Sequence, residues 1–284
     1  MSGADRGLTG GPISRRRLLE TGGLAAAFGA LLVACGDRSG DEAPGRVGYA
    51  PPVTPLPQPE INDIVYLRTA TSIEYLVLDL YAWMIDSGQL AEADQELVDR
   101  LVADHQAAAD RTADLTTQAG GQPYECANVW YTERVVPPMK VAIVGDEADL
   151  PESDDPGTDM MRMSYGFETM VSSMYQKMIE QVSDRALRVD LGPLGTLAGR
   201  HSAAVAIAVT GAPDGYISPV VLGGELTPDE SGRAELFAIP ARYGSLASTE
   251  IVIGAPNESG TRASYALEIP AENSYVYDGL TCPS

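Results

Sequence analysis

Two stretches of the chain repeat one spacing of apolar positions around a glutamate. EYLVLDLYAWMI begins at Glu74 and ETMVSSMYQKMI begins at Glu168, and they share Glu, Val, Tyr, Met and Ile at the same five positions. Steps of three and four residues place these shared positions on one face of a helix. Each face is apolar except for its glutamate. The pattern predicts two long helices that each carry one carboxylate into a core.

Two further helices carry the two histidines of the chain, His105 and His201. Each histidine stands in the same Leu-x3-His-x2-Ala spacing, on a face that is otherwise apolar or small. Glu168 follows Glu74 by 94 residues, and His201 follows His105 by 96 residues. The chain is therefore interpreted as an internally duplicated helical hairpin.

The breaker residues predict where the elements begin and end. Long helices are expected over 59–88, 90–119, 158–187 and 193–210, with a short helix over 130–136 that ends at Pro137 and Pro138. Short β-rich runs follow within 213–280, and NESG at 257–260 has the composition of a hairpin turn. The expected fold is mainly α, a four-helix bundle over 59–211 with a small antiparallel β appendage over 212–284.

The N-terminal residues have the features of an export signal. Ser14, Arg15 and Arg16 precede a short apolar run that ends in LVAC at Cys35. We interpret 1–34 as a twin-arginine lipoprotein signal peptide, although a plain N-terminal membrane anchor is an alternative. Cys35 would then carry lipid, and the Gly- and Pro-rich segment 35–58 would be a disordered tether. The protein is expected outside the cytoplasm, held to the membrane by its N-terminal lipid.

Composition limits the possible partners. The chain has 40 Asp and Glu against 19 Lys and Arg, which gives a net charge of −21. Such a surface repels phosphate backbones, so no nucleic acid is expected as a partner. Cys126 and Cys282 most simply form a disulfide outside the cytoplasm, and metal ligation by this pair, which lacks a CxxC spacing, is the alternative.

The two glutamates and two histidines are the candidate functional residues. Glu74, His105, Glu168 and His201 are each predicted to point into an apolar interior, where an unpaired polar group is costly. They could hydrogen-bond to one another, or they could share a metal, since imidazole with carboxylate suits Fe, Mn or Zn. Tyr81 and Tyr175 are interpreted as packing residues.

At these residues the chain resembles the ferritin-like superfamily, specifically its exported bacterial members, over about 60–210. In that family two helices each supply a Glu and the other two each supply Glu-x2-His, which together hold two metal ions. Glu74 and Glu168 match the lone glutamates, and His105 and His201 match the histidines. The partner glutamates of the family motif are replaced by Val102, three residues before His105, and Ala198, three residues before His201.

Two functions are compatible with this degenerate set of ligands. In the first, a cell-surface lipoprotein keeps the ferritin-like bundle as a scaffold without ferroxidase activity, and an unknown protein partner binds its surface. In the alternative, the four residues hold one Fe, Mn or Zn ion for metal handling or redox protection. The sequence leaves open whether the protein is an enzyme and whether it contains one ion or none.

Overall fold

The computed structural model describes residues 61–146, 150–211, 250–269 and 280–282, all within the compact unit Gln58–Ser284. The described residues do not include the predicted signal peptide with Arg15 and Arg16, nor Cys35, which is predicted to carry lipid. They also do not include the predicted tether 35–58, nor most of the predicted β appendage. The described chain is mainly helical, with one small antiparallel sheet.

The first predicted hairpin is present. Helix α1 spans Asp63–Ser87 and helix α2 spans Glu92–Gln118. The side chain of Asn62 accepts a hydrogen bond from the backbone N–H of Val65 and caps α1. Gly88 ends the helix at φ 65°, a left-handed conformation that favours glycine. The short turn makes α1 and α2 neighbours, as predicted.

The short helix predicted over 130–136 is different in the structure. A single π-helical turn, Tyr131–Val135, runs directly into helix α3, Val136–Val144. The expectation that Pro137 and Pro138 end a helix is wrong. They lie in the first turn of α3, where the backbone N–H that proline lacks would have no partner within the helix.

The second hairpin consists of helix α4, Pro156–Gln181, and helix α5, Arg185–Thr210. The predicted extension of α4 to residue 187 is wrong, because Val182 is extended and stops the helix. The predicted start of α5 at residue 193 is also wrong, since Pro193 lies inside the helix. Asp184 caps its first turn, and the buried Leu187 and Leu191 hold the turns that precede the proline.

The four long helices contact one another in a consistent pattern. Helix α1 packs along α2 and helix α4 along α5, while smaller contacts join α1 to α4 and α2 to α5. The repeated faces of α1 and α4 are buried as predicted. They consist of Leu67, Ala70, Glu74, Val77, Tyr81 and Met84 in α1, and of Met161, Ser164, Glu168, Val171, Tyr175 and Met178 in α4.

A two-stranded hairpin packs against the helices. Strand β1, Glu250–Ile253, pairs antiparallel with strand β2, Ala263–Ala266, through the predicted turn at 257–260. Ile251 of β1 approaches α4 so closely that a Cβ at Gly166 would lie 2.1 Å from its Cδ1 atom. Glycine at 166 therefore permits the sheet to join the hydrophobic core.

The predicted pairing of the two late cysteines is confirmed. Cys126 and Cys282 form a disulfide with 5.9 Å between their Cα atoms. The bond holds the described C-terminal residues next to the connection between α2 and α3. Arg68 of α1 supports the same junction by donating to the backbone carbonyls of Gln122 and Leu280. Among the described residues, no helix has the length and apolar character needed to cross a membrane.

Candidate metal centre

The structure brings Glu74, His105, Glu168 and His201 together in the interior, one from each long helix. His105 lies between the two glutamates. Its Nδ1 atom is 2.5 Å from Glu74 Oε2, and its Nε2 atom is 2.8 Å from Glu168 Oε1. All four residues are buried. The repeat in the sequence therefore corresponds to one shared cluster in space.

Two tyrosines support the glutamates in a reciprocal manner. The hydroxyl of Tyr81 in α1 donates to Glu168 in α4, and the hydroxyl of Tyr175 in α4 donates to Glu74 in α1. Both tyrosines are fully buried, so water cannot replace these bonds. Burial and the neighbouring carboxylates raise the pKa of both phenols well above the usual value of 10. The tyrosines thus remain protonated donors, and interpreting them as packing residues alone was incomplete.

His105 has the electrostatic environment of a buried cation. Burial lowers the pKa of its imidazole, but the charges of Glu168 and Glu74 outweigh burial and raise the pKa from 6.5 to about 10. Burial likewise raises the pKa of Glu168, but His105 outweighs it and lowers the pKa from 4.5 to about 2. An imidazolium that donates to one carboxylate on each side satisfies all three groups.

His201 is held differently. Its Nε2 atom lies 3.0 Å from Oδ2 of Asp104, whose side chain is half exposed. Its Nδ1 atom lies 3.3 Å from Oε2 of Glu168, yet neither of these two buried atoms has a hydrogen-bond partner among the residues that the structure describes. Burial lowers the pKa of His201, but the contact with Glu168 has the larger combined effect and raises it above 6.5. A cation or a proton is needed between these two atoms.

The group best arranged to hold a metal has three members. His105, Glu168 and His201 each offer one ligand atom, and these atoms lie within 4.8 Å of one another. Two ligand atoms about 2.0 Å from one ion are about 3.3 Å apart at the tetrahedral angle and about 2.8 Å apart at a right angle. Nδ1 of His201 lies 3.3 Å from Oε2 of Glu168, and Nε2 of His105 lies 2.8 Å from the other oxygen, Oε1, so each nitrogen has this spacing to one carboxylate oxygen. The described side chains can therefore hold a metal ion.

Glu74 takes a different place from the one the sequence predicted. It contacts Nδ1 of His105, whereas Glu168 contacts Nε2, so one ion bound at Nε2 would leave Glu74 on the far side of the ring. Asp104 stands in the same relation to His201. Carboxylates of this kind orient histidine ligands and raise their basicity. Glu74 and Asp104 are accordingly better placed to orient the two histidines than to bind the ion directly.

A small cavity of about 10 Å³ lies beside this group, and it has room for about one water molecule. Charged and polar residues line one part of it, and the apolar walls come mainly from α5, with one residue each from α2 and α4. Ala198, three residues before His201, belongs to the wall. Val102, three residues before His105, is partly buried and packs against the hydrophobic core. The lining comprises Glu74, Asp104, His105, Ala108, Val171, Leu194, Leu197, Ala198 and His201.

Sequence reasoning missed the contributions of the tyrosines and of Asp104. The tyrosines did carry a signal, since both stand seven residues after a glutamate in the repeated stretch. Asp104 carried a weaker signal, because most acidic residues on a helix face solvent and its equivalent in the second repeat is Arg200. Its side chain is half exposed, and one of its oxygens contacts Nε2 of His201.

No protein-family model matches the chain, and no curated protein matches it. The functional interpretation therefore depends on the geometry of the centre and on the chemistry of its residues.

Proposed function

We propose that the protein is an extracytoplasmic lipoprotein with a ferritin-like four-helix bundle that holds one divalent Fe, Mn or Zn ion at His105, Glu168 and His201. One observation carries the proposal. Oε2 of Glu168 and Nδ1 of His201 are buried 3.3 Å apart without a hydrogen bond, which is the separation of two ligands on one ion.

Charge balance supports a divalent ion. Glu74 and Glu168 bring two negative charges into an interior where uncompensated charge is costly. A divalent cation with both histidines neutral would neutralise the two carboxylates completely. Two histidines with one carboxylate form a donor set typical of zinc enzymes and of non-haem Fe(II) sites. When bound, such an ion supplies a Lewis-acidic or redox-active centre with at least one further coordination position.

The same residues argue against a dinuclear iron site and ferroxidase activity. A ferritin-like di-iron site takes a glutamate three residues before each histidine. Here those positions hold Val102 and Ala198, so the charge that would hold a second cation is missing. We therefore infer a mononuclear centre for metal handling or redox protection, derived from a dinuclear ancestor.

The location follows from the N-terminal sequence, which supports export by the twin-arginine route and lipid attachment at Cys35. That route carries folded proteins, which suits a protein that acquires its metal before export. The disulfide between Cys126 and Cys282 is compatible with an oxidising compartment.

A second candidate function is a metal-free scaffold that binds a protein partner at the cell surface. The favourable observation is His105, which as an imidazolium satisfies both glutamates by hydrogen bonding alone. This candidate leaves the pair formed by Glu168 and His201 without its cation unless His201 is also protonated.

The two candidates are separated by metal analysis of the full-length protein, purified in mild detergent. After loading with Fe(II), Mn(II) or Zn(II), we expect about one equivalent by plasma mass spectrometry. Glu168→Gln should weaken binding far more than the matched variant Glu74→Gln, for which about 10- to 100-fold is expected. Circular dichroism shows whether each variant is folded. Wild-type protein that stays free of all three metals would refute the metal site and support the scaffold.

A further inference from the structure

The cavity beside the centre connects a buried ligand to a carboxylate that water can reach. The side chain of Asp104 is 50% exposed, whereas the side chain of His201, which it contacts, is 8% exposed. Both line the same cavity, as does His105. At this point, therefore, only one side chain separates solvent from the buried ligands.

The walls of the cavity explain why it is open. Ala108 of α2 and Ala198 of α5 face it with single methyl groups, and the rest of the apolar part consists of Val171, Leu194 and Leu197. A longer side chain at 198 would occupy this space. On the same two helices, Arg111 is paired with Asp190, so the carboxylate of Asp190 is already partly neutralised. Asp104 has no such cationic partner among its described contacts other than His201.

A cation that approaches a buried site must lose water gradually. A half-exposed carboxylate attracts the hydrated ion and accepts it first, because its own hydration is only partly lost. At the inner end lie Oε2 of Glu168 and Nδ1 of His201, two atoms without a hydrogen-bond partner in the described part of the chain. Asp104 therefore has an outer position on a short path whose inner end is the proposed site.

We propose that Asp104 and the cavity between α2 and α5 form the route by which a divalent cation reaches His105, Glu168 and His201. This inference rests on the proposed metal site. Asp104 has two roles in it: it captures the cation at the surface, and it orients His201 by accepting from Nε2. Capture affects the rate of association, whereas orientation affects the rate of dissociation, so kinetics distinguish the two.

The test is stopped-flow binding of Co(II) to the metal-free, full-length protein, followed by the visible absorption of the bound ion. Asp104→Asn keeps an oxygen that can accept from His201 but removes the charge. We expect its association rate constant to fall about tenfold at low salt and to lose most of its dependence on ionic strength. Ala198→Val, which narrows the cavity without changing charge, should slow association by a similar factor.

The matched control is Asp99→Asn, which removes the same charge from an exposed position on α2 outside the cavity. Its association rate should stay within about twofold of wild type at the same ionic strength, because Asp99 is exposed to water and does not line the cavity. All variants should still bind one equivalent of Co(II) at saturation.

Three results would overturn the route. If Asp104→Asn changes only the dissociation rate, Asp104 merely orients His201. If Asp104→Asn and Asp99→Asn slow association equally, the effect belongs to the acidic surface as a whole. If wild-type protein binds no Co(II), the proposed site fails first and the route fails with it. Asp104→Asn alters a half-exposed side chain, so the test does not depend on Ala198→Val being folded.

Discussion

Replacing one buried hydroxyl tests whether the glutamates are held as charged groups. Tyr175→Phe removes the donor to Glu74 and leaves the ring in place. Glu74 then retains only its contact with Nδ1 of His105 among the hydrogen bonds described here. Tyr175 is fully buried, so water cannot take the place of the hydroxyl.

The magnitude follows from the kind of hydrogen bond that is lost. A bond to a charged partner contributes about 1.5–3 kcal/mol, compared with about 1 kcal/mol for a neutral pair. For a domain of this size, each kcal/mol lowers Tm by about 2–4 °C. Tyr175→Phe should therefore lower Tm by about 3–12 °C. Tyr81→Phe should cost at least as much, because the Tyr81 hydroxyl also contacts Ser164 Oγ at 2.8 Å.

The assay is urea unfolding of metal-free protein at pH 6, with thermal unfolding as a check. Tyr265→Phe is the matched control, since its hydroxyl donates to the carbonyl of Pro138 at 3.1 Å in an exposed position and should cost less than about 0.5 kcal/mol. If Tyr175→Phe is as stable as this control, Glu74 is not a charged acceptor in a dry core, and the description of the cluster is wrong.

Three other predictions concern the same centre. The pKa of His105 is raised from 6.5 to about 10, so its contribution to the stability of the metal-free protein is fully present below pH 6.5. The pKa of Glu168 is lowered from 4.5 to about 2, so its contribution is fully present above pH 4.5. Urea unfolding should therefore show greatest stability at pH 4.5–6.5, with losses as pH rises towards 10 or falls towards 2. His105→Gln should remove most of the alkaline loss and leave the part that comes from the raised pKa of His201. A loss of equal size in that variant would contradict the assignment. At a free metal concentration of about 100 times Kd, the bound ion should stabilise the folded protein by about 2.7 kcal/mol. Removing it with a chelator should therefore lower Tm by about 5–11 °C in scanning calorimetry. An unchanged Tm would mean that the ion is not bound to the folded state. Val102→Glu combined with Ala198→Glu should raise bound iron from about one to about two equivalents by plasma mass spectrometry, and a value that stays at one would show that charge alone does not prevent the second ion.

Much of the helical fold could be predicted because the repeat carries two independent signals. The apolar positions in the stretches at Glu74 and Glu168 define a helical face, and the copies define which helices are equivalent. Two of the boundary errors came from proline. Pro137 and Pro193 both predict helix boundaries, but the first lies at the start of a helix and the second lies within one. A single residue does not show whether buried neighbours on each side compensate for the lost hydrogen bond.

The sequence could predict which residues form the site but not how their side-chain atoms contact one another. Burial of a carboxylate and an imidazole on each hairpin requires partners, so Glu74, Glu168 and the two histidines had to meet. Which nitrogen faces which oxygen depends on rotamers and helix rotation, which spacing does not reveal. Glu74 could therefore not be distinguished from Glu168 before their contacts with His105 were known.

The departures from the repeat locate the proposed ion within the cluster. Glu74, Glu168, Tyr81 and Tyr175 follow the two-fold pattern, since each tyrosine donates to the glutamate of the other hairpin. The histidines depart from it: His105 contacts both glutamates, whereas His201 contacts Glu168 and the half-exposed Asp104. An ion on the two-fold axis would need equivalent surroundings on both sides. The asymmetry instead favours one ion near Glu168 and His201, with Glu74 neutralised across the ring of His105, so the proposed mononuclear centre would need only three ligands.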